Sequence, residues 1–241
     1  MATTADNIRR FILLQQWDDL HAFLRRLSNS EFRRVEYDVR EHILPTLPND
    51  AFWAALLHLV RYRAQAFSSG MLAIRHLADD GTLRFDTPEA LQLAQTITPE
   101  LARKLVDMAV PLMQTPQQID ELFRLFPLDD DQQRVAVLIR TTSPLTYFTL
   151  FRTLCHAHDN RALALQCCRY IARKGDDLSL NMASILREYF GLHEWQGQCA
   201  LHIEPYELNF LDQSYERFRY ALEGKRPTIL DNNQTKIHTT T

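Results

Sequence analysis

Glycine is scarce in this chain, with six residues in 241. Sheet-rich folds and phosphate-cradling loops lean on glycine for their tight turns, whereas helices avoid it. Neither G-x-G-x-x-G nor G-x-x-x-x-G-K-[ST] occurs, and there is no G-x-S-x-G elbow, which removes the usual signals for nucleotide binding and for serine hydrolysis. Cysteine is sparse too. Cys155, Cys167, Cys168 and Cys199 make no disulfide framework in a chain of this length and fit a compartment that keeps thiols reduced. Long apolar runs are missing: Phe11–Leu14 is short, and Phe52–Val60 is broken by His58, well under the ~20 residues of a membrane span. Met1–Asp6 has no basic stretch and no apolar segment with a cleavage site follows it. These absences read as a soluble, cytoplasmic protein without a membrane partner. The net charge of −3 supplies no global field toward polyanions.

What is present is helix punctuation. Thr87-Pro88, Thr98-Pro99, Thr115-Pro116 and Ser143-Pro144 each precede an apolar pattern of helical period. The hydroxyl accepts a free N–H of the first turn, and proline at the next position gives up no intrahelical bond. Ser28 with Glu31 and Thr115 with Gln118 have the form of capping boxes. Leu20, Phe23, Leu24 and Leu27 mark one helical face; Phe32, Val35, Val39 and Ile43 mark the next, which Pro45 and Pro48 end. Asn49 or Asp50 then caps a helix carrying Trp53, Leu56, Leu57 and Val60. Ser68-Ser69-Gly70 interrupts the pattern before Met71, Ile74 and Leu77 resume it.

Asp79-Asp80-Gly81 closes that segment, and Thr82–Asp86 alternates like a short extended connector. Later faces run through Leu101, Leu105 and Met108, then Ile119, Leu122 and Phe123, then Val135 and Leu138, then Phe148, Phe151 and Leu154. The clearest hairpin joins Leu163, Cys167 and Ile171, across Arg173-Lys174-Gly175, to Leu178, Met182 and Ile185. Periodicity fades between Trp195 and Phe210, and a short helix with Tyr215, Phe218 and Leu222 stops at Gly224.

The fold expected is all-α, with about ten to twelve helices stacked as antiparallel hairpins in an α-α superhelix of the HEAT or TPR type. An irregular helical bundle is the alternative. Residues 1–224 form one helical-repeat-like domain with a subdomain boundary near 81–87, and 225–241 are a polar tail. Hairpins recur at roughly 30 to 45 residues without a shared consensus, and the signatures of tetratricopeptide and ankyrin repeats are missing.

Several constellations invite chemistry. Cys155-His156-Ala157-His158-Asp159 lies near Cys167-Cys168, and Cys199 with His202 is a C-x-x-H pair; thiolate and imidazole are zinc ligands, yet no C-x-x-C or H-x₃-H knuckle sets the spacing. Cysteines at apolar helix positions behave as small hydrophobes, so these read as structural. Asp18 with His21, and Glu36, Asp38, Glu41 and His42, approach a carboxylate-bundle motif, but Glu41 and His42 are adjacent and point about 100° apart.

Of 27 basic residues, 23 are arginine and 4 lysine. Arg9-Arg10, Arg25-Arg26 and Arg33-Arg34 are paired, followed by Arg40, Arg61 and Arg63, which together could track a phosphate backbone. Residues 1–84, however, hold 11 Arg against 10 Asp plus Glu. Late aromatics, Trp195, Tyr206, Phe210, Tyr215, Phe218 and Tyr220, read as the core that seals the end of a stack.

The resulting expectation is a protein–protein interaction scaffold or adaptor using one face of the superhelix, with another protein as its partner. No catalytic, cofactor or metal residue is assigned. The alternatives are a nucleic-acid-binding helical-repeat protein, or an enzyme with a site between helices, for which Cys155, His156, His158 and Asp159 are the first residues to inspect.

Overall fold

The computed structural model describes residues 3–63, 66–126, 128, 130–203, 208, 209 and 211–225, without the side chains of residues 67, 68, 71 and 72. Thirteen α-helices and no strand occur among the described residues, in agreement with the all-α expectation and one helix beyond its upper count. None of these helices is long and apolar enough to cross a membrane. Chain contacts divide the protein into two compact units, residues 1–129 and 130–241.

The first unit contains α1 (Thr4–Leu13), α2 (Trp17–Arg26), α3 (Asn29–Asp38), α4 (Asn49–Tyr62), α5 (Ala66–Asp79), α6 (Pro88–Thr96), α7 (Pro99–Ala109) and α8 (Pro116–Leu125). Their packing follows a rule. Helix α1 packs on α2 and α3, α2 on α4, α3 on α5, α4 on α5 and α6, α5 on α7, and α6 on α8. Every helix from α1 to α6 therefore touches the one two places further along. The core runs through Ile8, Leu20, Leu24, Phe32, Phe52, Trp53, Leu56, Leu105 and Leu122, all essentially inaccessible to solvent.

Helix starts obey the local signals. Thr87 accepts from Ala90 N at 3.2 Å, Thr98 from Leu101 N at 3.3 Å and Thr115 from Gln118 N at 3.2 Å. The capping boxes at Ser28 and Thr115 are both formed, and Thr3 with Asp6 adds a third at α1. Helix α3 does not simply stop at the prolines: it widens into a π turn at Val39–Ile43 and tightens into a 3₁₀ turn at Leu44–Thr46.

Two expectations need correction. Neither Asn49 nor Asp50 caps α4, which begins after Pro48 without a side-chain cap. Asn49 is buried and used elsewhere, its Oδ1 accepting from Arg84 N at 2.9 Å. Nor do Ser69 and Gly70 interrupt a helix, because α5 runs through them. Glycine is required there by packing: a Cβ on Gly70 would overlap Leu56 Cδ1 and lie 2.9 Å from Cδ2. Gly81, by contrast, ends α5 with φ +67. The alternation in 82–86 buries Leu83 and Phe85, and the Trp53 indole donates to Arg84 O at 2.8 Å.

The second unit contains α9 (Asp131–Leu138), α10 (Pro144–His156), α11 (Asn160–Ile171), α12 (Asp177–Tyr189) and α13 (Tyr215–Leu222). Helix α10 is central, packing on α9, α11, α12 and α13. The expected hairpin is α11–α12, turned at Gly175 with φ +76. Asp130, Ser143 and Asp176 cap α9, α10 and α12. After Tyr189 the chain is irregular and pinned by Ser184 Oγ, which accepts from Ala200 N and Leu201 N at 3.1 Å each. Tail residues 226–241 lie outside the described residues.

Candidate functional site

On α2, Trp17, His21 and Arg25 fall at i, i+4 and i+8, beside the buried stripe of Leu20 and Leu24. On α4, His58 and Tyr62 stand at i, i+4. Packing of α2 on α4 zips these two stripes into a half-exposed seam. Trp17 stacks on His58 with ring centroids 4.3 Å apart and planes 15° apart. His21 Nε2 lies 2.9 Å from His58 Nδ1, so one ring donates its N–H to the bare nitrogen of the other. Tyr62 rests against His21 at 4.5 Å, and Arg25 donates to the Tyr62 hydroxyl at 3.0 Å while covering its ring.

Burial pushes both imidazoles below the ordinary histidine range, and Arg61 adds to the effect at each. A charge on His21 further disfavours one on His58. At neutral pH the pair is therefore uncharged. At the far end of α2, Arg63 donates from its guanidinium to the carbonyls of Leu24 and Leu27, placing a cation on the negative end of that helix.

His58 also forms one wall of a groove of about 400 Å³. Helix α4 supplies Leu57, His58, Val60 and Arg61; α6 supplies Gln92 and Thr96; Ile97, Thr98 and Leu101 close the far side. Its walls thus combine aliphatic side chains with hydroxyls, an amide, an imidazole and a guanidinium. Arg61 is exposed and makes no ion pair among the described residues.

The sequence-derived candidates are dispersed. Cys155 is half-buried, and burial raises its thiol pKa, with Tyr189 hydrogen-bonded to it. His156, His158 and Asp159 are exposed near the end of α10. Cys167 is buried and held up to about 12 by that burial, and Cys168 is raised for the same reason. Neither thiol is poised as a nucleophile. Cys199 accepts from Arg187 at 3.8 Å. No three His, Cys, Asp or Glu side chains are grouped to hold a metal ion among the described residues.

The carboxylates of α3 are engaged singly: Glu36 accepts from Ser69 at 3.0 Å, and Glu41 pairs with Arg40. His42 meets Tyr37 edge-on at 5.7 Å. Of the late aromatics, Tyr215 and Phe218 pack on Phe148 at 5.5 and 5.4 Å, Trp195 is half-buried, and Tyr220 is exposed under Arg219. Tyr206 and Phe210 lie outside the described residues. The paired arginines are exposed at 9, 10, 25, 26, 33 and 34; Arg10 covers Phe11 and Arg25 covers Tyr62, while Arg9 lies near Asp6 and Arg34 near Glu31.

A second polar cluster, also unforeseen, sits in the second unit. Tyr147 and Ser179 are both buried, their hydroxyls 2.7 Å apart, and Ser179 donates to Asp176 at 2.7 Å. Lys174 donates to Thr142 at 3.0 Å and to Arg140 O at 3.3 Å, with its ammonium over the Tyr147 ring. These bonds tie the start of α12 to α10, with Tyr147 and Ser179 buried and Asp176 exposed at the rim. Comparison with protein families, with characterised proteins and with solved structures finds no match to this chain.

Proposed function

We propose that the chain is a protein–protein interaction scaffold or adaptor, whose first unit is a short α-α superhelix that seats a partner segment in the α4–α6–α7 groove. The observation that carries this reading is the alternate packing of α1 to α8. Helices that touch at every second place are what two stacked rows would produce, and two such rows would leave one long face of each open. A bundle closed on itself would bury those faces instead.

The groove's chemistry names the partner: a polypeptide segment with aliphatic side chains on both sides of an acidic one. Leu57, Val60, Ile97 and Leu101 would cover the aliphatic groups, and the unpaired Arg61 would meet the carboxylate in forked geometry. Among the described residues no carboxylate lines the groove to serve as a general base beside His58, which is why catalysis ranks lower.

The test is capture from the native host with wild-type protein, Arg61→Glu and Leu101→Asp, each checked for helical content. A partner retained by wild type and lost by both variants supports the reading, and an acidic-aliphatic peptide from that partner should then bind with the same dependence. Recovery of bait alone, or equal retention by all three, rejects it. Nucleic acid is a second reading, favoured by Arg9, Arg26, Arg33 and Arg34, which are exposed and form no ion pair among the described residues. Micromolar binding in a low-salt gel shift that weakens steeply with added salt would select it.

A further inference from the structure

The α2–α4 seam carries an inference that stands whether or not the neighbouring groove takes a partner. An N–H···N bond between two imidazoles needs one donor and one bare nitrogen. With His21 Nε2 and His58 Nδ1 2.9 Å apart, that condition holds when both rings are neutral. It holds equally with one proton added, because an imidazolium donates to a neutral imidazole more strongly than a neutral ring does. A second proton leaves two N–H groups and two positive charges facing each other. The bond cannot survive that state.

The surroundings sharpen the contrast. Arg61 and Arg25 disfavour charge on the pair, while Asp18 from α2 and Glu89 from α6 favour it. The hydroxyl of Tyr62 accepts from Arg25. The two ends of α2 are also held unequally. Its C-terminal carbonyls are gripped by Arg63. Its N-terminal end has no side-chain cap at Gln16 and follows Gln15, a non-glycine residue at φ +53. The turn from α1 ties that end to Phe11, whose carbonyl accepts from Gln16 N at 2.8 Å, and on the α4 side the ring contacts of Trp17 and His21 join the packed leucines in holding it down.

We propose that the His21–His58 pair is an acid-released clasp between α2 and α4: the first proton is tolerated, and the second parts the rings and lifts the Trp17 end of α2 while Arg63 keeps the other end in place. Because His58 forms one wall of the groove, the groove changes shape in the same step. Burial holds both rings below the ordinary 6.5, so the clasp is closed above that pH and yields as pH falls beneath it. The two protons enter as macroscopic steps of the pair.

The experiment is a histidine NMR titration of the full chain from pH 8 to 4.5, assigned with His21→Gln and His58→Gln, alongside fluorescence referenced to Trp17→Phe. Glutamine offers an N–H and a carbonyl, so either variant can keep a bond without titrating. Expected are two steps below 6.5, separated by at least tenfold in proton affinity, with the Trp17 signal following the lower one and absent in both variants. A single step at 6.5, or a Trp17 transition that persists in either variant, overturns the clasp. Should a variant fail to fold, the spacing of the wild-type steps and the step that Trp17 follows still decide the matter. All readouts are on the free protein, so failure here is distinct from failure of partner docking.

Discussion

Gly70 illustrates how one residue can mislead a local reading. Within Ser69-Gly70 it has the look of a break, because glycine weakens a helix interior by about 1 kcal/mol relative to alanine. Its position in α5 is instead set by Leu56 of α4, which is fully buried and occupies the space a Cβ would take. Gly70→Ala therefore gains helix propensity and loses packing. Overpacking a tight contact costs about 1 to 3 kcal/mol, the larger of the two effects. Net destabilisation of up to about 2 kcal/mol is expected from the urea midpoint; a midpoint that rises would mean α4 and α5 do not approach as closely as described. The same reasoning explains Asn49. A residue that looks like a cap is drawn into the core to satisfy the Arg84 amide, since a buried N–H without a partner costs more than an uncapped helix end.

At the scale of elements, the signals that were legible are those a helix carries within itself. Thr87, Thr98, Thr115 and Ser143 cap their helices because the hydroxyl and the amide it serves are three residues apart. Buried faces follow for the same reason, Ile119, Leu122 and Phe123 lining one side of α8. What stayed hidden spans many residues of chain. His21 and His58 are 37 positions apart, and each is an ordinary solitary histidine in its own helix. The available hint was that polar-aromatic residues repeat at four-residue spacing on α2 (Trp17, His21, Arg25) and on α4 (His58, Tyr62), next to each apolar stripe. Such a flank is where a neighbouring helix makes its second contact.

Arg63 stands in the sequence among arginines that could track a phosphate backbone, yet it serves α2 by reaching its last carbonyls from the end of α4. Only a planar fork can reach both acceptors and Tyr62 O together. Arg63→Lys should thus lose about 1 to 2 kcal/mol of stability, in the range of charged hydrogen bonds at a helix end. Amide exchange should rise selectively in the last turn of α2. Full retention of protection at residues 24–27 would assign that end to some other contact.

For the whole molecule, upward pKa shifts mark the second unit, which also holds downward ones at Lys174, Asp176 and Glu223. In the first, every shifted group among the described residues is displaced downward: Asp6, His21, Glu31, His58 and Glu100. Each contributes stability that is present above its ordinary value and lost as pH falls. The upward shifts all belong to the second unit, at Tyr147, Cys155, Cys167, Cys168, Tyr189 and Tyr215 among others, with burial as the cause in these six. For a thiol or phenol raised in this way the sign reverses. The unfolded group ionises first, so stability is full below its ordinary value and declines as pH rises toward the folded one.

Cys167 fixes the size of the effect. Its thiol moves from 9.0 to about 12 in a fully apolar setting. At about pH 10.5 the unfolded chain has gained about 2 kcal/mol from ionising this one group, while the folded chain has gained almost nothing. Under reducing conditions the urea midpoint should fall between pH 8 and about pH 10.5. In Cys167→Ala/Cys168→Ala it should start lower, because two side chains are truncated in the core, and then decline less steeply. An equal decline in both proteins would mean that water reaches the α11–α12 interface and that these thiols ionise in the folded state as they do in the unfolded one.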